Sequence, residues 1–402
     1  MKNLVLNKNL ENLEEAGSIF INQIVYDLKR LNVDVTTLSL GEAFFDLPLF
    51  DFHKLDLTKS NHYSDSQGLP ELRKKIARYY FETQGGKVNP QNEILISAGS
   101  KCLVFMVMLA LLNKKDEVIT FEPAWLSYFG QAEILGIKIK SLPYNRDIDD
   151  LNLDIFKNAK LIILNNPNNP GGFVYSKRFI KKLYDICLKN NIWLLVDEAY
   201  SDFSDNSFYS SLLLSSKKKN VIIINSLSKS FGISGWRIGY IISNSKLIDV
   251  ILKINQHIIT CAPTILLQYC TEYFDKIRNI TSKEIKKLSE KRKKICKMLN
   301  NLGIKYLQGN STFYIFIDIS DYKSSSENFC LDLLLNDYVA AIPGSVYGKS
   351  TEKFIRISIG TESEERIYEA LVMLKKKIDT PKPVLNFKNK LKKIKDDLKK
   401  SL

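Results

Sequence analysis

Lys229 stands where a lysine is chemically costly. It lies in the run Asn225-Ser226-Leu227-Ser228-Lys229-Ser230-Phe231-Gly232-Ile233-Ser234-Gly235-Trp236-Arg237-Ile238-Gly239-Tyr240, directly after the apolar residues Val221-Ile222-Ile223-Ile224. An ammonium at a buried strand end must be paired, neutralised or used covalently, and forming an imine with a carbonyl compound is one such use. Two earlier apolar runs end in residues of complementary chemistry. Lys160-Leu161-Ile162-Ile163-Leu164 leads into Asn165-Asn166-Pro167-Asn168-Asn169-Pro170-Gly171-Gly172, and Trp193-Leu194-Leu195-Val196 leads into Asp197-Glu198-Ala199-Tyr200. A carboxylate at Asp197 suits a protonated pyridine nitrogen, which makes the ring an electron sink, while Asn169 and Tyr200 suit hydrogen bonds to a ring hydroxyl. Taken singly, Asp197 reads first as a cap, Asn169 as an Asn-Pro turn and Tyr200 as core; it is their joint occurrence in this order that points to the ring.

The elements that must position these groups are short apolar strands with helical stretches between them. Such runs read as central strands of a parallel sheet, whose carboxyl ends form the ligand crevice of α/β proteins. Asn169, Asp197, Tyr200 and Lys229 are therefore expected at one sheet edge. Ser97-Ala98-Gly99-Ser100-Lys101 follows Ile94-Leu95-Ile96 and opens the apolar stretch Cys102 to Leu112, which reads as a buried helix. Its amino terminus would offer free backbone donors and a positive dipole end to a phosphate.

Together, these motifs resemble those of the fold-type I pyridoxal-phosphate aminotransferases of class I/II, over almost the whole chain. That family carries an Asn-Pro-x-Asn-Pro-Thr-Gly turn, an Asp-Glu-x-Tyr strand end and a Ser-x-x-Lys…Arg-x-Gly-Tyr segment, and all three are present here in order. Gly171 departs, standing where the family usually has threonine, so a change in turn stiffness is expected without loss of function. The resemblance implies pyridoxal 5'-phosphate as cofactor. It also implies a large domain with a mostly parallel central sheet flanked by helices, joined to a smaller α+β domain.

Carried over residue by residue, the resemblance makes Lys229 the cofactor anchor and proton carrier, with Asp197 and Tyr200 in the catalytic set. Gly99, Ser100, Lys101, Ser226, Ser228 and Arg237 fall at the phosphate, where Arg237 can grip oxygens as a fork. Trp125, in Glu122-Pro123-Ala124-Trp125, matches the aromatic residue that stacks on the cofactor ring. Tyr63 matches a tyrosine that reaches the phosphate of a neighbouring subunit, which implies a homodimer with shared sites. Arg356, in Phe354-Ile355-Arg356-Ile357-Ser358, matches the arginine that binds the substrate carboxylate. Gly41 matches backbone that closes over the substrate, beside Trp125 and Asn169. The implied reaction moves an amino group from an L-amino acid to a 2-oxo acid, with 2-oxoglutarate and glutamate as one pair, by ping-pong kinetics. A lyase, cyclase or oxidase would use the same residues. Some aspartate-type members bind a second carboxylate with a lysine two helical turns after the phosphate turn. Leu109 stands at the matching position, which weakens an aspartate-specific reading. Phe44, Phe45 and Tyr128 leave aromatic or neutral substrates open.

At 402 residues with 45% hydrophobic content, the chain can bury a large core. The expected organisation is an N-terminal segment, 1–45, joining the small domain. A large cofactor domain follows at 46–290, the small domain at 291–380 and a basic extension at 381–402. The lysine-rich stretch Lys283 to Lys297 reads as a long helix linking the domains. The six cysteines and three histidines show no metal-type spacing, so no metal site is expected and the thiols read as reduced, in a cytoplasmic protein. No apolar run approaches the roughly 20 residues of a spanning helix. The net charge of +14 is concentrated in the tail, since Leu374 to Leu402 holds eleven lysines against three acidic residues. There Leu391, Ile394, Leu398 and Leu402 recur at helical spacing, which reads as an extension packed on its own enzyme. No nucleic-acid or membrane partner is expected.

Overall fold

The computed structural model describes residues 15–143, 153–204, 208–379 and 387–401, together with positions 10, 13, 148 and 151. Its strands, in chain order, are β1 (Thr36–Thr37), β2 (Ile94–Ser97), β3 (Glu117–Phe121), β4 (Lys138–Leu142), β5 (Ala159–Asn165), β6 (Trp193–Asp197), β7 (Val221–Ser226), β8 (Gly239–Ile242), β9 (Tyr314–Asp318), β10 (Val339–Ala340), β11 (Ile342–Pro343) and β12 (Phe354–Ser358). Seven of them form one sheet in the order β2-β8-β7-β6-β5-β3-β4. The pairs β7-β6, β6-β5, β5-β3 and β3-β4 are parallel, while β8 is antiparallel to both its neighbours. Strands β5, β6 and β7 carry near-continuous apolar runs because helices cover both faces of the sheet.

Register brings the chemistry to one edge. Asn165 pairs with Asp197 and Asp197 with Ile224, so the residues that follow β5, β6 and β7 emerge side by side. The helices, again in chain order, are α1 (Gly17–Arg30), α2 (Leu57–Ser60), α3 (Pro70–Gln84), α4 (Ser100–Leu111), α5 (Ser127–Ile134), α6 (Lys177–Lys189), α7 (Leu227–Ser230), α8 (Ser245–Ile258), α9 (Thr264–Asn301), α10 (Ser326–Asp337), α11 (Glu364–Asp379) and α12 (Phe387–Ser401). Helix α6 shows how sequence makes such a cover. Ser176 caps it by accepting from Phe179 N, and Phe179, Ile180, Leu183, Tyr184 and Cys187 bury a single face.

A second core surrounds the three-stranded sheet β11-β12-β9. Ile21, Ile24, Val25 and Leu28 of α1 pack there with Leu333 of α10 and Leu371 of α11, so the chain's first helix joins its last third. Parallel pairing of β1 with β10, Thr36 to Val339, fixes that junction. Helix α9 spans both cores: Ile277 belongs to the first and Ile285 to the second. Helix α12 lies on this second body through Phe387, Leu391 and Ile394, so the basic tail packs on its own chain; Thr380 to Asn386 and Leu402 lie outside the described residues. No helix among the described residues is long and apolar enough to cross a membrane.

Candidate active site

Lys229 lies on the single-turn α7, which β7 delivers directly. Ser226 caps that turn, accepting from Ser228 N at 3.0 Å and donating to Ile238 O at 3.0 Å. The Lys229 ammonium donates to Gly41 O at 2.5 Å, a contact made across 188 residues of chain. Burial pushes its pKa down to about 8, helped by the Arg356 and Arg237 charges and opposed by Glu42 and Asp197. The amine is thus brought toward its nucleophilic, uncharged form near working pH.

Asp197 ends β6 at 5% exposure. Burial raises the pKa of its carboxyl, against hydrogen bonds from Tyr128 Oη to Oδ2 at 2.7 Å and from Ala199 N to Oδ1 at 3.2 Å, and against the Lys229 charge. Asn169 follows β5 on a turn that Asn165 organises. Asn165 Oδ1 accepts from Asn169 N at 2.6 Å, and its Nδ2 donates to Asp197 O at 3.0 Å. Asn169 Nδ2 in turn donates to Tyr200 Oη at 3.3 Å, which joins the two predicted ring-hydroxyl partners directly.

The end expected from sequence to take a phosphate is equally built. Gly99 precedes α4 at φ +94°, and a Cβ there would stand 2.6 Å from Arg237 Nη2, so the guanidinium lies against the helix amino terminus. Arg237 is itself left-handed at φ +57° and donates from Nη1 to Ser234 O at 2.7 Å. Trp125 meets Tyr128 edge to face, with centroids 5.3 Å apart, and Lys101 Nζ lies 5.2 Å from the Trp125 ring. Burial, then the Arg237 charge, lowers the pKa of Lys101.

At the opposite end, Arg356 is 4% exposed on β12. Its Nη2 donates to Ser39 O at 2.6 Å, and the guanidinium lies over the Tyr314 ring, 4.5 Å from its centroid.

Three buried polar atoms here have no partner: Ser228 Oγ, Asn169 Oδ1 and Arg356 Nε. Unpaired buried polar groups are costly, and each lies at a part of the site assigned to phosphate, ring hydroxyl or carboxylate. The set fits pyridoxal phosphate together with an amino acid.

Direct contacts join the expected residues into one connected set: Lys229 reaches Gly41, Gly99 with Ser100 beside it lies against Arg237, Lys101 lies by Trp125 and Trp125 by the Tyr128 that serves Asp197, Asn169 bonds Tyr200, Ser226 caps Ser228, and Arg356 shares with Tyr200 the neighbour Tyr314. Tyr63 stays outside it. At 86% exposure it projects from a loop beside Cys261–Thr264, with Thr264 Oγ1 donating to His62 O at 2.9 Å. Sequence reading placed Tyr128 with the substrate-facing aromatics, but it is fully buried and serves Asp197. Gly171 has a local reason as well: a Cβ would press on the Phe173 ring and stand 2.7 Å from Asn168 Oδ1, so a threonine here would require both side chains to shift. Asn165, Tyr314 and Ser39 went unnoticed in sequence. For Asn165, its place at the end of β5, next to the turn, was the available signal.

The family model for class I and II aminotransferases matches residues 37–373. An aspartate aminotransferase of Pyrococcus horikoshii is 32% identical over 92% of this chain and 100% of its own. Among solved structures, the aspartate aminotransferase of Thermotoga maritima superposes with a TM-score of 0.81 at 26% identity, covering 93% of this chain and all of its own. The aromatic aminotransferase of Pyrococcus horikoshii gives 0.79 at 28% identity, covering 88% and 98%. With the motifs, the linked side chains and the full-length likeness in agreement, the chain belongs to the class I and II aminotransferases and is a pyridoxal-phosphate-dependent transaminase of the fold-type I architecture.

Proposed function

We propose that this enzyme transfers amino groups between an L-amino acid and 2-oxoglutarate, with each residue acting as follows. Pyridoxal phosphate, when bound, supplies the electron sink that stabilises negative charge at the substrate α-carbon. Lys229 would hold the cofactor through its amine and, once that amine is free, would carry a proton to and from the substrate α-carbon. Asp197 keeps the ring nitrogen protonated, oriented by Tyr128. Asn169 and Tyr200 hold the ring oxygen, and Trp125 covers the ring face. The α4 amino terminus at Gly99, Ser100 and Lys101 binds phosphate together with Ser226, Ser228 and Arg237. Arg356 takes the α-carboxylate, and Gly41 closes over it.

The observation that carries this reading is the half-buried Lys229 amine, which follows β7 beside the strand that ends in Asp197 and donates to Gly41 O. Leu109, where some relatives carry a lysine for a second carboxylate, is exposed on the last turn of α4.

We assign the large domain to 46–290, the small domain to 1–45 with 291–380, and the extension to 381–402. The exposed Tyr63 supports a homodimer in which this side chain enters the partner's phosphate site, and the free cysteines fit a cytoplasmic protein. A single-turnover assay tests the reaction. Holoenzyme given an amino acid alone should release one equivalent of 2-oxo acid per site without ammonia or peroxide, and should then convert 2-oxoglutarate to glutamate. Ammonia or peroxide without glutamate would contradict it.

A further inference from the structure

Tyr314 belongs to none of the motifs that mark this site, yet it touches three parts of it. Its Oη lies 2.9 Å from Tyr200 Oη, and Tyr200 also accepts from Asn169. Its ring underlies the Arg356 guanidinium at 4.5 Å, with the Tyr347 ring a second neighbour at 5.7 Å. Gly41 passes so near that a Cβ there would stand 3.1 Å from Tyr314 Oη. The carboxylate end, the ring end and the segment that accepts from Lys229 therefore share one side chain.

Tyr314 is also held rigidly. It is buried on β9, paired with Ser358 of β12, and Arg292 of α9 donates to its carbonyl while donating to Gly309 O at 2.9 Å. Arg356 spends Nη2 on Ser39 O and stacks on Tyr314, which fixes the guanidinium plane and leaves the buried Nε without a protein partner. A planar fork fixed in this way presents its remaining donors in a set direction.

We propose that Tyr314 is a positioning residue for transamination. Its ring sets the plane in which Arg356 receives the substrate carboxylate, and its hydroxyl polarises the Tyr200 hydroxyl toward the ring oxygen of the cofactor. The inference rests on the roles given above to Arg356 and Tyr200. Because two separable parts of one side chain carry the two effects, two substitutions divide them. Tyr314→Phe keeps the stacking surface and removes the hydroxyl, whereas Tyr314→Leu removes both.

The test uses holoenzyme and two readouts that need no turnover: the pH midpoint of the bound cofactor's absorbance band, and the dissociation constant for succinate, a non-reacting dicarboxylate, by calorimetry. Tyr314→Phe should move the midpoint by about 0.5 pH unit, as expected for losing one buried hydrogen bond, and leave succinate affinity within about 2-fold. Tyr314→Leu should move the midpoint and also weaken succinate about 10-fold, as expected for losing a desolvated cation–π contact. A merely structural role would lower thermal stability without moving the Phe variant's midpoint. An unchanged midpoint in Tyr314→Phe overturns the proposal even if Tyr314→Leu fails to fold, and so does unchanged succinate affinity in a folded Leu variant. Wild-type enzyme that shows no band, or does not bind succinate, overturns the underlying roles of Tyr200 and Arg356 instead.

Discussion

Tyr128 Oη donates to Asp197 Oδ2 at 2.7 Å, from a fully buried position on α5. The bond favours the charged carboxylate against the burial that raises its pKa. Tyr128→Phe should therefore raise the Asp197 pKa further and move the acid limb of the kcat profile to higher pH. A loss of about 10-fold in kcat is expected for removing one hydrogen bond to a buried charge. Cofactor affinity and kcat measured across the acid range check this; an unmoved acid limb would remove Asp197 as the group titrating there.

Lys229 has a folded pKa of about 8, below its ordinary value of 10.5. Between those two values the unfolded chain binds a proton that the folded apoprotein does not, so apoprotein stability should rise with pH through that window. Lys229→Met should flatten the rise. The rate at which apoprotein reacts with an aldehyde should climb through about pH 8 and then level, following the uncharged amine. Midpoints of urea unfolding and reaction rates over that range measure both.

Glu122, at the end of β3, accepts from Ser350 N at 2.7 Å, from Lys349 N at 3.1 Å and from the Ser141 hydroxyl, which ties the large sheet to the loop after β11. Burial pushes its pKa up, but these hydrogen bonds outweigh it and hold the carboxyl below the ordinary glutamate value. Its contribution is thus present above that ordinary value and lost as pH falls through the folded one. Glu122→Ala should cost about 2 kcal/mol at neutral pH, with the gap to wild type closing in acid. Thermal unfolding at several pH values reads the difference.

Helix α12 covers the second core with Phe387, Leu391 and Ile394, and Lys390 donates to Asn336 at the end of α10. Truncation after Asp379 uncovers that apolar surface. The thermal midpoint should fall by several degrees, with KM for the amino donor nearly unchanged. If truncation instead abolished binding to anionic vesicles or RNA, the tail would be a docking element, contrary to its packing here.

How much of this was legible in sequence depends on distance along the chain. Lys229, Asp197 and Asn169 each follow an apolar run closely, so strand ends and residue chemistry identified them together. Tyr314 was not legible, because its meeting with Arg356 depends on a register, Tyr314 to Ser358, between strands some forty residues apart. Ser39 and Gly41 reach Arg356 and Lys229 across longer gaps still. The parallel sheet was readable from the apolar runs on β5, β6 and β7. The antiparallel placement of β8 between β2 and β7 was not, since nothing in Gly239–Ile242 records strand direction.

The most direct measurement follows the absorbance band of the holoenzyme while a panel of L-amino acids is titrated in. At least one should convert the band to that of the aminated cofactor, and 2-oxoglutarate should restore it, while Lys229→Ala should bind cofactor without supporting the cycle. A band that no amino acid converts reversibly, or a Lys229→Ala enzyme that still turns over, would contradict the account.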